Sequence, residues 1–407
     1  MIQEKNNVKL DLFITANSPG EIAGRVVPVV REIRPRIWNS RITLVILPCQ
    51  YASGAELSLG EDSGADRCVR IGKIGELLSE RAGEERTKRL ILHMGGDLLF
   101  SIYLSRRLSS PLWAYSSAPR WRRLVNMFLL PDGDAEERFV SANIDAGRYE
   151  RIGEIAIDSV VLRESEEETR ESLRLTPDEP VIAFLTGSRP IEYRYGMPFF
   201  VSAASKITER FKDHRVFFPL AATVQEDLLR DVLISAGIRF KGETRVHAID
   251  IGGSRWAEVV RDRTLEVLNC SKLAIVVPGT NNLQAAALYV PFIMALPLDR
   301  ADEYPLDGLP GLLPLWFPGF RALKRRYIMK LNERTKFVSL PNKMAGRAIV
   351  PEVRGLIGPD DVAERAIELL ESPERLQEIS RSFWDLTHER GASIKLAEMV
   401  ARWAKED

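Results

Sequence analysis

Residues 8–33, Val-Lys-Leu-Asp-Leu-Phe-Ile-Thr-Ala-Asn-Ser-Pro-Gly-Glu-Ile-Ala-Gly-Arg-Val-Val-Pro-Val-Val-Arg-Glu-Ile, carry the pattern that decides the fold. The apolar run 8–15 reads as a strand, Asn17-Ser-Pro-Gly20 as a turn, and the stretch from about Glu21 to Ile33 as a helix. Further along, 42–47 and 90–94 are short apolar runs of the kind buried in a sheet, the second ending at Gly95-Gly96-Asp97. Strands alternating with helices imply parallel βαβ units.

Between Arg163 and Glu179 the chain turns strongly charged and is followed by Pro180, which marks a boundary. The alternation then restarts with strands at 181–185, 215–219 and 273–277, and helices at 198–211, 224–236 and 283–289. Helices at 360–372 and 374–403 follow, broken near Gly391. The expected domains are 1–170, 171–372, and a C-terminal helical segment 373–407 that packs back on the first. Two consecutive α/β halves with loops at the carboxyl ends of their strands favour a ligand cleft between them.

Composition narrows the function. Of 407 residues, 45% are hydrophobic and 28% charged, which excludes disorder, collagen-like repetition and a polytopic membrane protein. Lys plus Arg and Asp plus Glu number 57 each, so no overall field draws the chain to nucleic acid. Cys49, Cys68 and Cys270 form no CxxC pair, and the four histidines show no metal-ligand spacing. No signal peptide is recognisable, which fits a cytoplasmic protein, and no metal or cofactor is expected.

The loops after the strands hold the candidate chemistry. Gly187-Ser188-Arg189 follows one buried strand, and Pro278-Gly279-Thr280-Asn281-Asn282 follows another and opens a helix. Free N–H groups at a helix start attract phosphate, glycine lets it approach, and an arginine can grip a diphosphate. On spacing alone, ordinary capping accounts for both loops better, since no glycine-rich nucleotide fingerprint accompanies them. Asp97 is the best-placed carboxylate of the first half for a general base, although a strand-end aspartate is commonly just a helix cap. Glu21 and Gly24 stand at the first strand-to-helix turn. His93, within an apolar strand, reads as a satisfied core residue.

Residues 308–330 segregate charge. Thirteen uncharged residues containing Trp316, Phe317 and Phe320 precede a decade with Arg321, Lys324, Arg325, Arg326 and Lys330 and no acid. Rings at headgroup depth beside cations suit an anionic membrane surface, and a loop packed on its own domain beside a solvated basic helix suits the pattern equally.

At 337–352, Phe-Val-Ser-Leu-Pro-Asn-Lys-Met-Ala-Gly-Arg-Ala-Ile-Val-Pro-Glu, the sequence resembles the lipid-A-disaccharide synthases. Gly20-Glu21-Ile-Ala-Gly24, Gly96-Asp97, Leu185-Thr-Gly-Ser-Arg189 with Glu192, and Gly279-Thr280 with Leu283 match that family's motifs in order. The resemblance implies a GT-B fold, two Rossmann-like domains facing a cleft, with the acceptor in the first half and a UDP-sugar mainly in the second. It implies an inverting transfer of an acylated glucosamine from UDP to a lipid-linked sugar phosphate at the inner membrane face. Asp97 falls on the family's essential aspartate, and Arg189 with 279–282 on its diphosphate grip.

Four positions depart from the pattern: Arg25 and Phe100 replace aspartates, Glu154 replaces a histidine, and Gln284 a glutamate. A neutral amide at 284 cannot accept from both ribose hydroxyls. These departures leave two alternatives, a same-fold enzyme such as an epimerase or a transferase for another glycolipid, and a sugar-nucleotide-binding membrane protein without catalysis.

Overall fold

The computed structural model describes residues 10–48, 56–76, 88–187, 190–220, 224–300 and 319–406. The chain forms two compact units, one of residues 1–159 with 390–407, the other of residues 160–389.

In the first unit the strands are β1 (Leu10–Ala16), β2 (Ser40–Ile46), β3 (Arg67–Arg70), β4 (Lys88–His93), β5 (Leu112–Tyr115), β6 (Met127–Leu130) and β7 (Tyr149–Arg151). All are parallel, in the order β3-β2-β1-β4-β5-β6-β7. Every residue of β1 is buried, as a central strand covered on both faces requires. Asp11 lies opposite Arg41 on β2 and Arg89 on β4, and its carboxylate meets them at 3.1 and 3.3 Å. A one-residue slip would bury that charge without its partners, so the triad fixes the register.

The second unit holds β8 (Val181–Leu185), β9 (Arg215–Leu220), β10 (Phe240–Lys241), β11 (Ala248–Gly252), β12 (Arg255–Arg261), β13 (Leu273–Val276), β14 (Phe292–Pro297) and β15 (Glu352–Gly355). Their order is β10-β11-β12-β9-β8-β13-β14-β15, parallel except where β11 runs against its two neighbours. In both sheets the chain reverses its direction of winding beside the first strand, between β1 and β4 and between β8 and β13. Such switch points leave a crevice at the carboxyl ends of the strands.

The domain limits differ from expectation at both ends. The Glu166–Ser172 helix belongs to the second unit, because Arg170 reaches the Cys270 carbonyl at 3.2 Å and Arg163 N–H reaches Glu266 at 3.2 Å. The Pro373–Thr387 helix stays there too, with Phe383 stacked on Phe292. Only the Ala392–Lys405 helix joins the first unit. Buried Asp158 accepts the Gly391 and Ser393 backbone N–H groups at 2.8 and 2.7 Å and the Ser393 hydroxyl at 2.7 Å. The helix expected at 198–211 begins at Pro190 and runs through Pro198 to Arg210.

Candidate functional site

At the first switch point, the chain leaves β1 through Asn17 and Ser18. The Ser18 hydroxyl caps the next helix by accepting the Glu21 N–H at 3.4 Å. The helix then widens into a π turn, Ile22–Val26, before continuing as Val27–Arg36. Such bulges are enriched at functional sites. The Glu21 carboxylate accepts the Asn17 N–H at 2.9 Å and lies against Gly95 after β4, where a Cβ would stand 2.1 Å from it. A methyl there would push the end of the Glu21 side chain aside.

Asp97 caps the Leu98–Leu108 helix, its Oδ1 accepting the Leu99 N–H at 2.9 Å, and its side chain is exposed. The capping reading and the catalytic one are therefore compatible. Gly24, expected at the cleft wall, is buried inside the π turn.

Behind Asp97 lies a polar cluster joining residues far apart in sequence. His93 Nδ1 is 3.2 Å from the Thr15 hydroxyl and 2.8 Å from the Ser101 hydroxyl, which are themselves 2.8 Å apart. Burial, aided by the Arg25 cation and opposed by Asp97, lowers the His93 pKa to about 4. The ring is neutral at pH 7, the satisfied core histidine that its strand context suggests. Arg25 donates to the Met94 carbonyl at 3.1 Å and lies over the Tyr115 ring at 5.1 Å. The Tyr115 hydroxyl donates to the Gly153 carbonyl at 3.3 Å. Burial, then the Glu154 charge, pushes the Tyr115 pKa well up, and Arg25 opposes the rise.

In the second unit, Gly187 has φ +102° and a Cβ there would stand 2.1 Å from a Glu192 carboxylate oxygen. Ser188 and Arg189 lie outside the described residues. Thr280 precedes the Asn281–Ala287 helix, with Asn281 and Gln284 partly exposed and Gly279 exposed. Asn282 departs from its expected role. It is fully buried and its Nδ2 donates to the Val277 carbonyl at 2.8 Å, which fixes the loop, while its Oδ1 meets no donor among the described residues.

The 337–352 block is a hydrogen-bonded knot. Buried Asn342 accepts the Ile349 and Val350 N–H groups at 2.7 and 3.0 Å, and Glu352 accepts from Val338 N, Ser339 N and Asn342 Nδ2 at 2.9–3.0 Å. Its specific residues thus satisfy one another.

Trp316 and Phe317 fall outside the described residues. The Phe320–Arg334 helix exposes Leu323, Tyr327 and Leu331 by 60, 48 and 46% at i, i+4 and i+8, among exposed Arg321, Arg325, Arg326 and Lys330. Phe320 is half-buried. Lys324, grouped with the headgroup-facing cations from sequence, points inward and is buried on the same side as Ile328, which packs with Leu298. Among the described residues no helix is long and apolar enough to cross a membrane, and no cluster of His, Cys, Asp and Glu could hold a metal ion.

Two Rossmann-type units, each with its loops at a switch point of a parallel sheet, define a GT-B-type fold. The structure resembles a putative UDP-N-acetylglucosamine 2-epimerase from Listeria monocytogenes, with a TM-score of 0.62, 13% identity and 98% of each chain covered. It also resembles the UDP-GlcNAc 2-epimerase from Neisseria meningitidis bound to UDP-GlcNAc, with a TM-score of 0.62 at 12% identity over 97% of this chain and 100% of that one. At those identities the likeness is one of fold.

A family model described as lipid-A-disaccharide synthetase matches residues 148–299. The lipid-A-disaccharide synthase of Myxococcus xanthus (strain DK1622) is 27% identical over 352 residues, covering 82% of this chain and 80% of that one. The one from Gloeothece citriformis (strain PCC 7424) is 24% identical over 59% of this chain and 53% of its own. Together these matches make the chain similar to the lipid-A-disaccharide synthases, at identities of 24–27% and with the family model confined to residues 148–299.

Two departures from the family pattern fall on one cluster. Arg25 and Glu154 both act on Tyr115, from opposite signs. Arg25 and Glu154 thus place opposite charges around that ring.

Proposed function

We propose that this chain is an inverting, UDP-sugar-dependent glycosyltransferase of the lipid-A-disaccharide synthase type, moving an acylated glucosamine or related hexose from UDP to a lipid-linked sugar acceptor. The observation that carries the reading is Asp97, an exposed carboxylate held by its own helix cap at the end of β4, beside the switch point and the Glu21–Gly95 contact. A base there takes the proton from the acceptor hydroxyl as its oxygen attacks the anomeric carbon and UDP departs with the bonding electrons. In the second unit Arg189, Gly279, Thr280 and Asn281 meet the charge growing on the diphosphate, Gln284 meets the ribose, and no further cofactor is invoked. Leu323, Tyr327 and Leu331, with their flanking cations, rest on the cytoplasmic face of the inner membrane and give access to acylated substrates.

The test is UDP release with a diacylated UDP-glucosamine and a diacylated glucosamine 1-phosphate. Asp97→Asn should lower kcat by about 100-fold or more, the range of a lost general base, with little change in UDP affinity. Transfer by the variant at the unsubstituted rate would remove Asp97 from the chemistry.

The exchanged charges at Arg25 and Glu154 favour a second reading, a transferase on this fold whose acceptor sugar differs from the family's. Turnover with another glycolipid and none with the acyl-glucosamine phosphate would select it.

A further inference from the structure

From Leu98 to Pro131 the chain holds five arginines and no aspartate or glutamate, 34 consecutive residues in a protein whose acids and bases are equal in number. Within this run, the Leu98–Leu108 helix and the 116–126 loop lie over the same face of the first unit's sheet. Ile102 and Leu104 from the helix and Val125 from the loop enter one core cluster with Phe128 and Phe139. The outer side of the layer sets three exposed large apolar side chains among exposed arginines. Leu99 and Tyr103, one helical turn apart, are exposed by 46 and 53%, and Trp121 at the loop's centre by 50%.

The loop is built to hold that tryptophan outward. Trp121 has φ +53°, an outlier for a bulky side chain that persists only where the surroundings impose it. Arg148 donates to the Arg122 carbonyl at 2.6 Å and also to that of Val125, Arg138 to the Ser117 carbonyl at 3.2 Å, and Arg122 itself to the Ala142 carbonyl at 2.7 Å. Arg120 and Arg123, on either side, are exposed and carry no ion pair among the described residues.

We propose that this face of the first unit is a second membrane contact, docking on an anionic lipid bilayer with Trp121 and Tyr103 at headgroup depth and Arg120 and Arg123 on the lipid charges. Charge complementarity chooses the occupant. An indole between guanidiniums that carry no ion pair among the described residues, within a stretch of chain without acids, matches the aromatic and electrostatic layers of such an interface. The inference rests on the membrane reading above for its partner, but on different residues in a different unit.

The experiment is co-sedimentation of the full chain with phosphatidylcholine vesicles containing about one-third phosphatidylglycerol. Each surface arginine near anionic lipid is worth about fivefold in partitioning, so Arg120→Ser with Arg123→Ser should weaken binding about 25-fold. Trp121→Ala should weaken it on its own, and thermal melting of both variants should match the unsubstituted protein. A separate triple variant, Leu323→Ser, Tyr327→Ser, Leu331→Ser, tests the second unit's helix. Loss of binding there, with the Arg120, Arg123 and Trp121 variants bound as the unsubstituted protein is, overturns this inference and leaves the earlier reading standing. Undiminished binding by every variant overturns both.

Discussion

His93 makes the first unit's stability depend on acidity in a calculable way. Its pKa is lowered in the fold to about 4 from the ordinary value near 6.5, chiefly by burial and then by Arg25. Between those values the unfolded chain binds a proton that the folded one refuses, so stability rises with pH across the window and is lost as pH falls through it. Between pH 7 and 5 this single group removes about 2 kcal/mol, and about 3 kcal/mol once both states are protonated. His93→Gln keeps a polar group near the Thr15 and Ser101 hydroxyls and does not titrate. Urea unfolding of the first unit is followed through buried Trp113, packed edge-on to Trp403 at 6.0 Å. The variant should lose about 2 kcal/mol less than the unsubstituted protein between the two pH values. Equal losses would mean that His93 titrates normally, and the account of the buried cluster behind Asp97 would be wrong.

Three further outcomes follow from the geometry. Gly95→Ala drives a methyl into the end of the flexible Glu21 side chain, so the melting temperature should barely move while sugar transfer falls as far as in Glu21→Ala; unimpaired transfer would separate Glu21 from the site. Gln284→Glu restores an acceptor for two ribose hydroxyls and should tighten UDP binding about tenfold by titration calorimetry, an unchanged Kd counting against the assigned ribose contact. Asp158→Ala strands three donors on Gly391 and Ser393 and should cost about 3–5 kcal/mol in the first unit's unfolding transition, with the second unit's transition unmoved.

Sequence reading reaches the elements whose signal is local. β1, β4, β8 and β13 are largely apolar runs ended by Gly, Pro or Asn turns, and the sequence locates each within two residues because burial on both faces keeps polar interruptions few. The antiparallel excursion β10–β12 escaped it, since Phe240–Lys241 is a two-residue strand and β12 is only half-buried. Pro198 looked like a helix start, yet the helix tolerates it in its middle. For the site, the turn at Gly95-Gly96-Asp97 was legible. Thr15, Ser101 and Tyr115 were not, because pairings 78 and 86 residues apart leave no periodicity to read. Asn282 and Lys324 show the converse, polar residues assigned outward by chemistry and turned inward by packing. The acid-free run 98–131 was visible all along as a count, but only the exposure of Trp121 gives it meaning.

The Asp158 clasp on Gly391 and Ser393 also dictates an order of events during synthesis. The first unit's sheet is complete in sequence by Arg151, but one layer of its core, Leu396, Ala397 and Val400, arrives some 250 residues later, about 12–50 s at ordinary translation rates. The second unit, continuous in sequence, can close during that interval. The unit holding β1 is therefore the last to be finished, one apolar face of its sheet staying uncovered until the Ala392–Lys405 helix has been made.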